Sequence, residues 1–143
     1  MDGSFACDGV AALSIHVALV HPEIHWNTGI AGRTCLAAGA TLHLIEPLGF
    51  SLDERQVRRA GLDYWAHVDP RVWPGWSEFE TALPSLGEPF FFTTKATRTM
   101  WDAPLGVPGD VVLIFGRETG GLAPEILARY AERLVSLPIL SPH

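Results

Sequence analysis

The glycine-rich segment that follows an apolar run is the first candidate for chemistry. Residues 115–122 (FGRETGGL) come directly after the apolar stretch of Val111–Phe115. Their three glycines allow a tight turn whose N–H groups can approach a polar or anionic ligand. Glu118 can accept hydrogen bonds from a ligand or from amides of the turn. The segment lacks G-K-[ST] and G-x-G-x-x-G, so it matches neither nucleotide fingerprint, and a plain strand-to-helix turn is the alternative.

A second candidate is residues 22–33 (PEIHWNTGIAGR). Asn27 or Thr28 is expected to cap a helix that ends at Gly39. Arg33 would lie about one and a half turns into that helix. A guanidinium near the start of a helix can bind phosphate through two hydrogen bonds. On this segment alone, an ordinary surface arginine is the favoured interpretation.

A third candidate is a basic cluster of Arg55, Arg58 and Arg59 on a helix predicted over residues 51–60. Arg55 shares a helix face with the other two, which would make a local phosphate-binding patch. A solvated face, with Glu54 paired to Arg58, is the slightly preferred alternative.

The histidines and cysteines do not indicate a metal site. His21 and His25 are four residues apart, but Pro22 and the predicted loop argue against a helical pair of ligands. Cys7 and Cys35 have no metal-ligand spacing, which favours a reduced intracellular protein. No metal is expected. The five tryptophans could stack on bases, although packing in a core or a subunit interface is the favoured interpretation.

The bulk properties limit the class of protein. A chain of 143 residues predicts one domain, expected over residues 14–143, with residues 1–13 as a disordered lead rather than a signal peptide. No apolar run approaches about 18 residues, so no membrane span is expected. The net charge of -6 argues against a protein that binds nucleic acid through its overall charge. A nucleic-acid partner would have to bind at a local basic site.

Strands are predicted to alternate with helices, which favours an α/β fold with a mostly parallel sheet and helices on both faces. In such a sheet, ligands bind beyond the carboxyl ends of the strands. Capping boxes at Ser51/Glu54 and Ser77/Glu80 predict two of the helices, and Pro124 opens another that runs to about Arg133. Strands are expected at residues 14–20, Thr41–Ile45, 89–94, Val111–Phe115 and 134–139, with a possible short strand at 66–68 and a loop at 97–110.

These segments together resemble the SPOUT (α/β-knot) RNA methyltransferases. More narrowly, LHLIEPLGF (42–50), RRAGLDYW (58–65) and TTK (93–95) are similar to phrases of the branch that methylates the 2′-hydroxyl of cytidine or uridine 34 in tRNA. The resemblance runs from about residue 14 to the end of the sequence. Its main carriers are Pro22, Glu23, Ile24, Asn27, Thr28, Gly29 and Arg33, followed by Phe115, Gly116, Glu118, Gly121 and Leu122.

The resemblance implies a trefoil knot, S-adenosylmethionine as the methyl donor, a homodimer, and the anticodon stem-loop of tRNA as a partner in the cytoplasm. The family's catalytic arginine falls on Arg33, with Asn27 in the same motif. The basic cluster of Arg55, Arg58 and Arg59 would contact the RNA. Three loops would hold the cofactor, through Phe92 and Thr93, through Gly116, Glu118 and Gly121, and through Leu137 and Ile139.

The sequence departs from the family pattern in three places. His25-Trp26 replaces a usual Pro-Pro, and Arg117 and Gly120 replace a usual Pro and Arg around Glu118. The third motif, a Ser-Leu-Asn-rich turn that leads to a final helix, is absent, so we expect a truncated C-terminal knot segment. A catalytically inactive RNA-binding or dimerisation module, and a purely structural dimerisation domain, are therefore the alternatives to an enzyme.

Overall fold

The apolar runs of the chain form a six-stranded sheet. The computed structural model describes residues 14–52, 65–105 and 109–137. Along the sheet the strand order is β3-β2-β1-β5-β4-β6, and every neighbouring pair of strands is parallel. The strands are β1 (Ile15–Val20), β2 (Thr41–Ile45), β3 (Arg71–Trp73), β4 (Glu88–Phe92), β5 (Val111–Phe115) and β6 (Leu134–Val135).

Helices cover both faces of this sheet, as predicted. The helices are α1 (His25–Ala38), α2 (Trp65–Val68), α3 (Trp76–Leu86) and α4 (Pro124–Arg129), with short 3-10 turns at Met100–Asp102 and Ala131–Arg133. On one face, α3 and α4 bury Phe79 and Ile126 against Ile114 of the central strand. On the other face, Cys35 of α1 packs with Leu42 of β2. The predicted α/β class is therefore confirmed.

The start of α1 corrects the predicted cap. The helix begins at His25, its N-cap residue is Ile24, and no side chain of that residue caps it. Asn27 and Thr28 therefore lie inside the first turn, and the hydroxyl of Thr28 is buried with no hydrogen-bond partner in the described part of the chain. The predicted end is correct, because Gly39 adopts a left-handed conformation and its N–H bonds back to the last turn.

Residues 66–68, predicted as a strand, belong instead to α2. A Cβ placed on Gly32 of α1 would lie 2.8 Å from the Trp65 ring and 3.3 Å from Val68. This glycine lets the two helices approach closely, and residues 66–68 pack there as a short helix. The third strand follows at Arg71–Trp73, where it pairs with β2.

The capping box predicted for α3 does not form. The helix begins at Trp76 after Gly75, and no side chain caps its N-terminus. The Ser77 hydroxyl donates to Glu78. The carboxylate of Glu80, predicted as the other half of the box, instead accepts hydrogen bonds from residues 129 and 130, at the end of α4.

The remaining differences between the predicted and the observed structure concern where strands and helices end. The fourth strand stops at Phe92 rather than residue 94, and β6 covers only Leu134–Val135. Helix α4 ends at Arg129, because Tyr130 leaves helical geometry before the 3-10 turn. The predicted 97–110 loop contains the 3-10 turn Met100–Asp102. The helix predicted over residues 51–60 and the end of the strand predicted over 134–139 fall largely outside the described ranges.

A buried histidine network links the first three strands. His43 is fully buried, and the Trp73 indole N–H donates to its Nδ1 at 3.1 Å. The Nε2 of His43 lies 2.9 Å from Nδ1 of His16. Because an indole nitrogen only donates, His43 must accept at Nδ1 and carry its proton at Nε2, which makes it neutral. Burial, followed by repulsion from His16 and Arg71, lowers the pKa of His43 to about 4.

We therefore expect the free energy of unfolding to fall as the pH drops from about 6.5 towards 4. In this window the unfolded chain protonates His43 and the folded chain does not, so the loss amounts to about 3 kcal/mol for a pKa lowered from 6.5 to about 4. Above pH 6.5 His43 is neutral in both the folded and the unfolded chain, so none of this stability is lost. Urea unfolding at a series of pH values measures it, and His43→Gln should flatten the dependence; an unchanged slope would contradict this assignment.

Candidate active site

A cavity of about 450 Å³ opens at the carboxyl ends of β4 and β5. This is the edge of a parallel sheet at which ligands are expected to bind. The cavity is built from the segments that follow the two strands, together with two leucines from the chain beyond them. Its walls are formed by Phe92, Thr93, Thr94, Lys95, Phe115, Gly116, Arg117, Glu118, Thr119, Gly120, Gly121, Leu122, Leu127 and Leu137.

Two stacked phenylalanines form an apolar wall of the cavity. Phe92 and Phe115 pair across β4 and β5, and their ring centroids lie 4.5 Å apart with an angle of 14° between the planes. Leu127 and the half-exposed Leu137 extend this apolar lining. Such a surface suits a flat apolar group such as a nucleobase, for which stacking adds to simple burial.

The glycine loop doubles back on itself beside this wall. The N–H of Gly121 donates to the carbonyl of Arg117 at 2.9 Å, and Gly121 has φ of 65°. A Cβ added to Gly116 would lie 2.7 Å from Cα of Gly121 and closer still to the next peptide. The turn therefore needs a residue without a side chain at position 116 and favours glycine at position 121.

Two carboxylates join the glycine loop to the start of α1. The carboxylate of Glu118 accepts hydrogen bonds from the N–H groups of Glu23, at 3.0 and 3.2 Å, and of Ile24, at 2.6 Å. In return, the carboxylate of Glu23 accepts from the N–H and the hydroxyl of Thr119, at 2.9 and 2.7 Å. We call this pair the carboxylate clamp. It fixes the first turn of α1 relative to the loop that lines the cavity.

The clamp explains two features of the site. Glu118 accepts from the N–H groups of Ile24, the N-cap residue of α1, and of the residue before it, and its negative charge lies at the start of the helix, where the helix dipole favours it. The hydrogen bonds from Thr119 lower the pKa of Glu23 and keep it ionised, with a further contribution from Arg117. The hydrogen bonds of Glu118 go to the backbone amides of Glu23 and Ile24, a partner segment that neither sequence-based alternative, a ligand or the amides of the turn, had included.

Six of the predicted cofactor-binding residues lie together around the cavity, namely Phe92, Thr93, Gly116, Glu118, Gly121 and Leu137. The seventh, Ile139, lies outside the described residues, as do Arg55, Arg58 and Arg59 of the predicted RNA-binding cluster. Sequence reasoning missed the second half of the clamp, Glu23, and also Lys95, Arg117 and Thr119. Glu23 and Lys95 belong to segments that carry the family resemblance, and Arg117 and Thr119 adjoin Glu118, which was the available signal.

Asn27 and Arg33, the predicted catalytic residues, lie on α1 and not among the residues that line the cavity. Both side chains are exposed. Arg33 shares a helix face with Trp26 and Ile30, seven and three residues before it. Those two apolar side chains are 60% and 64% exposed, so the arginine lies on a partly apolar surface of α1.

A second cavity, of about 530 Å³, lies at the amino end of β4 and β5. The carboxylates that line it bond to other groups of the protein. Glu80 is bonded to Arg129, Glu88 to Arg133, and Asp110 accepts from the N–H of residue 14. The cavity at the carboxyl end, where the predicted residues meet, is therefore the candidate active site.

The described ranges contain no group of three or more His, Cys, Asp or Glu side chains placed to hold a metal ion. No helix among these residues has the length and apolar character needed to cross a membrane.

Known proteins resemble the chain over nearly all its length. A tRNA (cytidine(34)-2'-O)-methyltransferase from Burkholderia pseudomallei is 47% identical over 126 residues, which cover 87% of this chain and 80% of that protein. Another protein of the same name, from an Acidovorax species, is 42% identical and covers 87% and 77%.

A solved structure and a family model agree with these relatives. The structure, from work on the 2-OH methylation of C/U34 on tRNA, superimposes with a TM-score of 0.80 at 40% identity and covers 92% of this chain and 84% of the other. The model of the SpoU rRNA Methylase family matches residues 14–142. The family resemblance noted in the sequence is confirmed, and the chain belongs to the SpoU methylase family.

Proposed function

We propose that this protein transfers a methyl group from S-adenosylmethionine to the ribose 2′-hydroxyl of nucleotide 34 of tRNA. The observation that carries the proposal is the cavity at the carboxyl ends of β4 and β5, where six predicted cofactor-binding residues meet. The relatives that are 42% to 47% identical are named for this reaction, and the family is one of methylases.

The residues of the cavity fit the methyl donor. The stack of Phe92 and Phe115 offers a flat apolar surface to an adenine ring. The glycine loop offers backbone groups at close approach, and the hydroxyl of Thr93 lies at the rim. Leu137 and Ile139 complete the proposed donor-binding set. When bound, the donor supplies a methyl group activated by a sulfonium centre.

Arg33 is proposed to act on the RNA side of the reaction. A guanidinium stays protonated in proteins, so it serves as an electrostatic partner for a phosphate and for the developing alkoxide rather than as a base. Asn27, six residues before it on the same helix, is proposed to assist in the same segment. The carboxylate clamp holds the start of α1 against the glycine loop. Part of the rate enhancement therefore comes from positioning the residues of α1 relative to the donor.

We further propose that two copies of the chain form a homodimer. Trp26 and Ile30 expose most of their apolar surface on α1, and burying such a stripe against a second copy removes it from water. Arg33 would then lie at the interface, close to both subunits. The tRNA anticodon stem-loop is the proposed partner, with Arg55, Arg58 and Arg59 as further RNA contacts, and the cytoplasm is the proposed compartment.

Methyl transfer to a defined tRNA tests the proposal. Incubation with S-adenosylmethionine labelled in the methyl group should label unmodified tRNA at nucleotide 34, and a tRNA with 2′-deoxyribose at that nucleotide should stay unlabelled because the acceptor is missing. Calorimetry should show saturable donor binding. Retained tRNA binding without donor binding or transfer would instead support an inactive RNA-binding module, and binding of neither would support a structural domain.

A further inference from the structure

Two cations lie on the rim of the candidate active site. Lys95 follows β4 and Arg117 follows β5, and both line the cavity while remaining exposed. Because β4 and β5 are adjacent and in register, the two positive charges lie on neighbouring loops at the same edge of the sheet.

Three other arginines of the described chain are engaged within the protein. Arg129 forms an ion pair with Glu80 at 2.6 Å, Arg133 pairs with Glu88 at 2.8 Å, and Arg98 donates to a backbone carbonyl. The ammonium of Lys95 and the guanidinium of Arg117 form no ion pair within residues 14–52, 65–105 and 109–137. Arg117 lies close enough to Glu23 to lower the pKa of that carboxyl, but no ion pair holds either cation among these residues, so both can contact a ligand.

The glycine at position 120 makes room for one of these cations. A Cβ on Gly120 would lie 2.7 Å from Nε and 3.0 Å from Nη2 of Arg117. The guanidinium therefore lies over the backbone at position 120, where a larger residue would push it away. Unlike Gly121, Gly120 has no positive φ, so backbone conformation alone does not require a glycine at position 120.

We propose that Lys95 and Arg117 bind phosphate groups of the RNA substrate at the rim of the cavity, and that Gly120 keeps the guanidinium of Arg117 in place for this contact. The inference rests on the proposed function and extends it to the approach of the RNA. A chain of net charge -6 must attract a polyanion through local cations. A guanidinium and an ammonium are the side chains that bind phosphate most strongly.

The salt dependence of tRNA binding tests this proposal. Each phosphate contact contributes about 0.7 to 0.9 to the slope of log affinity against log salt. We expect Lys95→Ala and Arg117→Ala each to lower that slope by about 1 and to weaken binding of unmodified tRNA about 5- to 10-fold at 0.1 M salt. Arg129→Ala, which removes an engaged cation outside the cavity, is the matched control and should leave the slope unchanged.

The variant Gly120→Ala tests whether the position of the Arg117 guanidinium matters, because it displaces this group without removing it. Its Cβ meets the flexible end of Arg117 rather than backbone, so the melting temperature should stay near that of the wild type while the slope falls towards that of Arg117→Ala. In the Arg117→Ala background the same change should add nothing, because the group it displaces is gone. Additive effects of the two changes would contradict the proposed role of Gly120.

The anion could also be the carboxylate of the methyl donor, and calorimetry distinguishes the two. We expect Arg117→Ala and Lys95→Ala to bind S-adenosylmethionine as the wild type does. A loss of donor affinity with an unchanged salt slope would overturn the assignment to RNA phosphate. If the wild type binds no tRNA, the proposed function fails together with this inference; if it binds but both slopes stay at the wild-type value, only this inference fails.

Discussion

Replacing Arg33 by alanine is expected to lower the rate of methyl transfer at least 100-fold while donor binding persists. Removing one preorganised group that stabilises a developing oxyanion commonly costs about 10²–10³ in rate. Arg33 is exposed on α1 and does not line the donor cavity, so the change should leave the cavity intact. Single-turnover transfer to tRNA measures the first effect, and calorimetry with S-adenosylmethionine measures the second.

Two further variants sharpen this test. Arg33→Lys keeps the charge but loses the planar pair of donors, so it should recover only part of the rate if binding of phosphate through two hydrogen bonds matters. Thr34→Ala, at the next exposed position of the same helix, removes a hydroxyl that donates to the carbonyl of Ile30 and should transfer methyl normally. Near-normal turnover of Arg33→Ala in a well-folded protein would remove this residue from the mechanism.

The parts of the site that depend on local sequence could be predicted. Val111–Phe115 is apolar throughout, so a buried central strand was the expected result, and its neighbours β1 and β4 cover it on both sides. Glycines after such a strand predict a turn at the carboxyl edge of the sheet. A tight turn within a few residues of the strand end calls for glycines, which Gly116 and Gly121 supply. Both line the cavity in the structure.

The contacts between distant segments could not be predicted. The N–H of Ile24, the N-cap residue of α1, donates to Glu118, which lies 94 residues later in the chain, whereas the local sequence predicts Asn27 or Thr28 as the cap. Glu80 stands where a capping box needs it, yet Arg129 and Tyr130 offer its carboxylate stronger hydrogen bonds. In each case the fold brings a charged partner from a distant segment, and the local sequence does not reveal that contact.

The remaining incorrect prediction, the short strand at residues 66–68, concerns packing. The run at residues 66–68 contains no pattern that separates a short strand from a helical turn. In the structure it packs as a helical turn against α1, where the missing side chain of Gly32 leaves room for the Trp65 ring. That information lies more than thirty residues away in the sequence, so only the assembled structure reveals it.

Gly116→Ala is expected to abolish measurable binding of S-adenosylmethionine and to lower the free energy of unfolding by about 1–3 kcal/mol, as overpacking typically does. The added Cβ would meet the backbone of Gly121, which is itself held by the hydrogen bond to Arg117. A flexible side chain can move aside at little cost, but this doubled-back turn cannot. The loop would have to open, which would displace the wall of the cavity.

Alanine at the three loop glycines should therefore have graded effects on donor binding. Gly121→Ala meets no atom within 4 Å but must adopt φ near 65°, at a cost of about 1 kcal/mol, so binding should weaken without being lost. Gly120→Ala displaces only a side chain and should bind the donor normally. Calorimetry on the three variants measures this order, and equal effects at positions 116 and 120 would show that the close backbone approach at Gly116 does not shape the donor site.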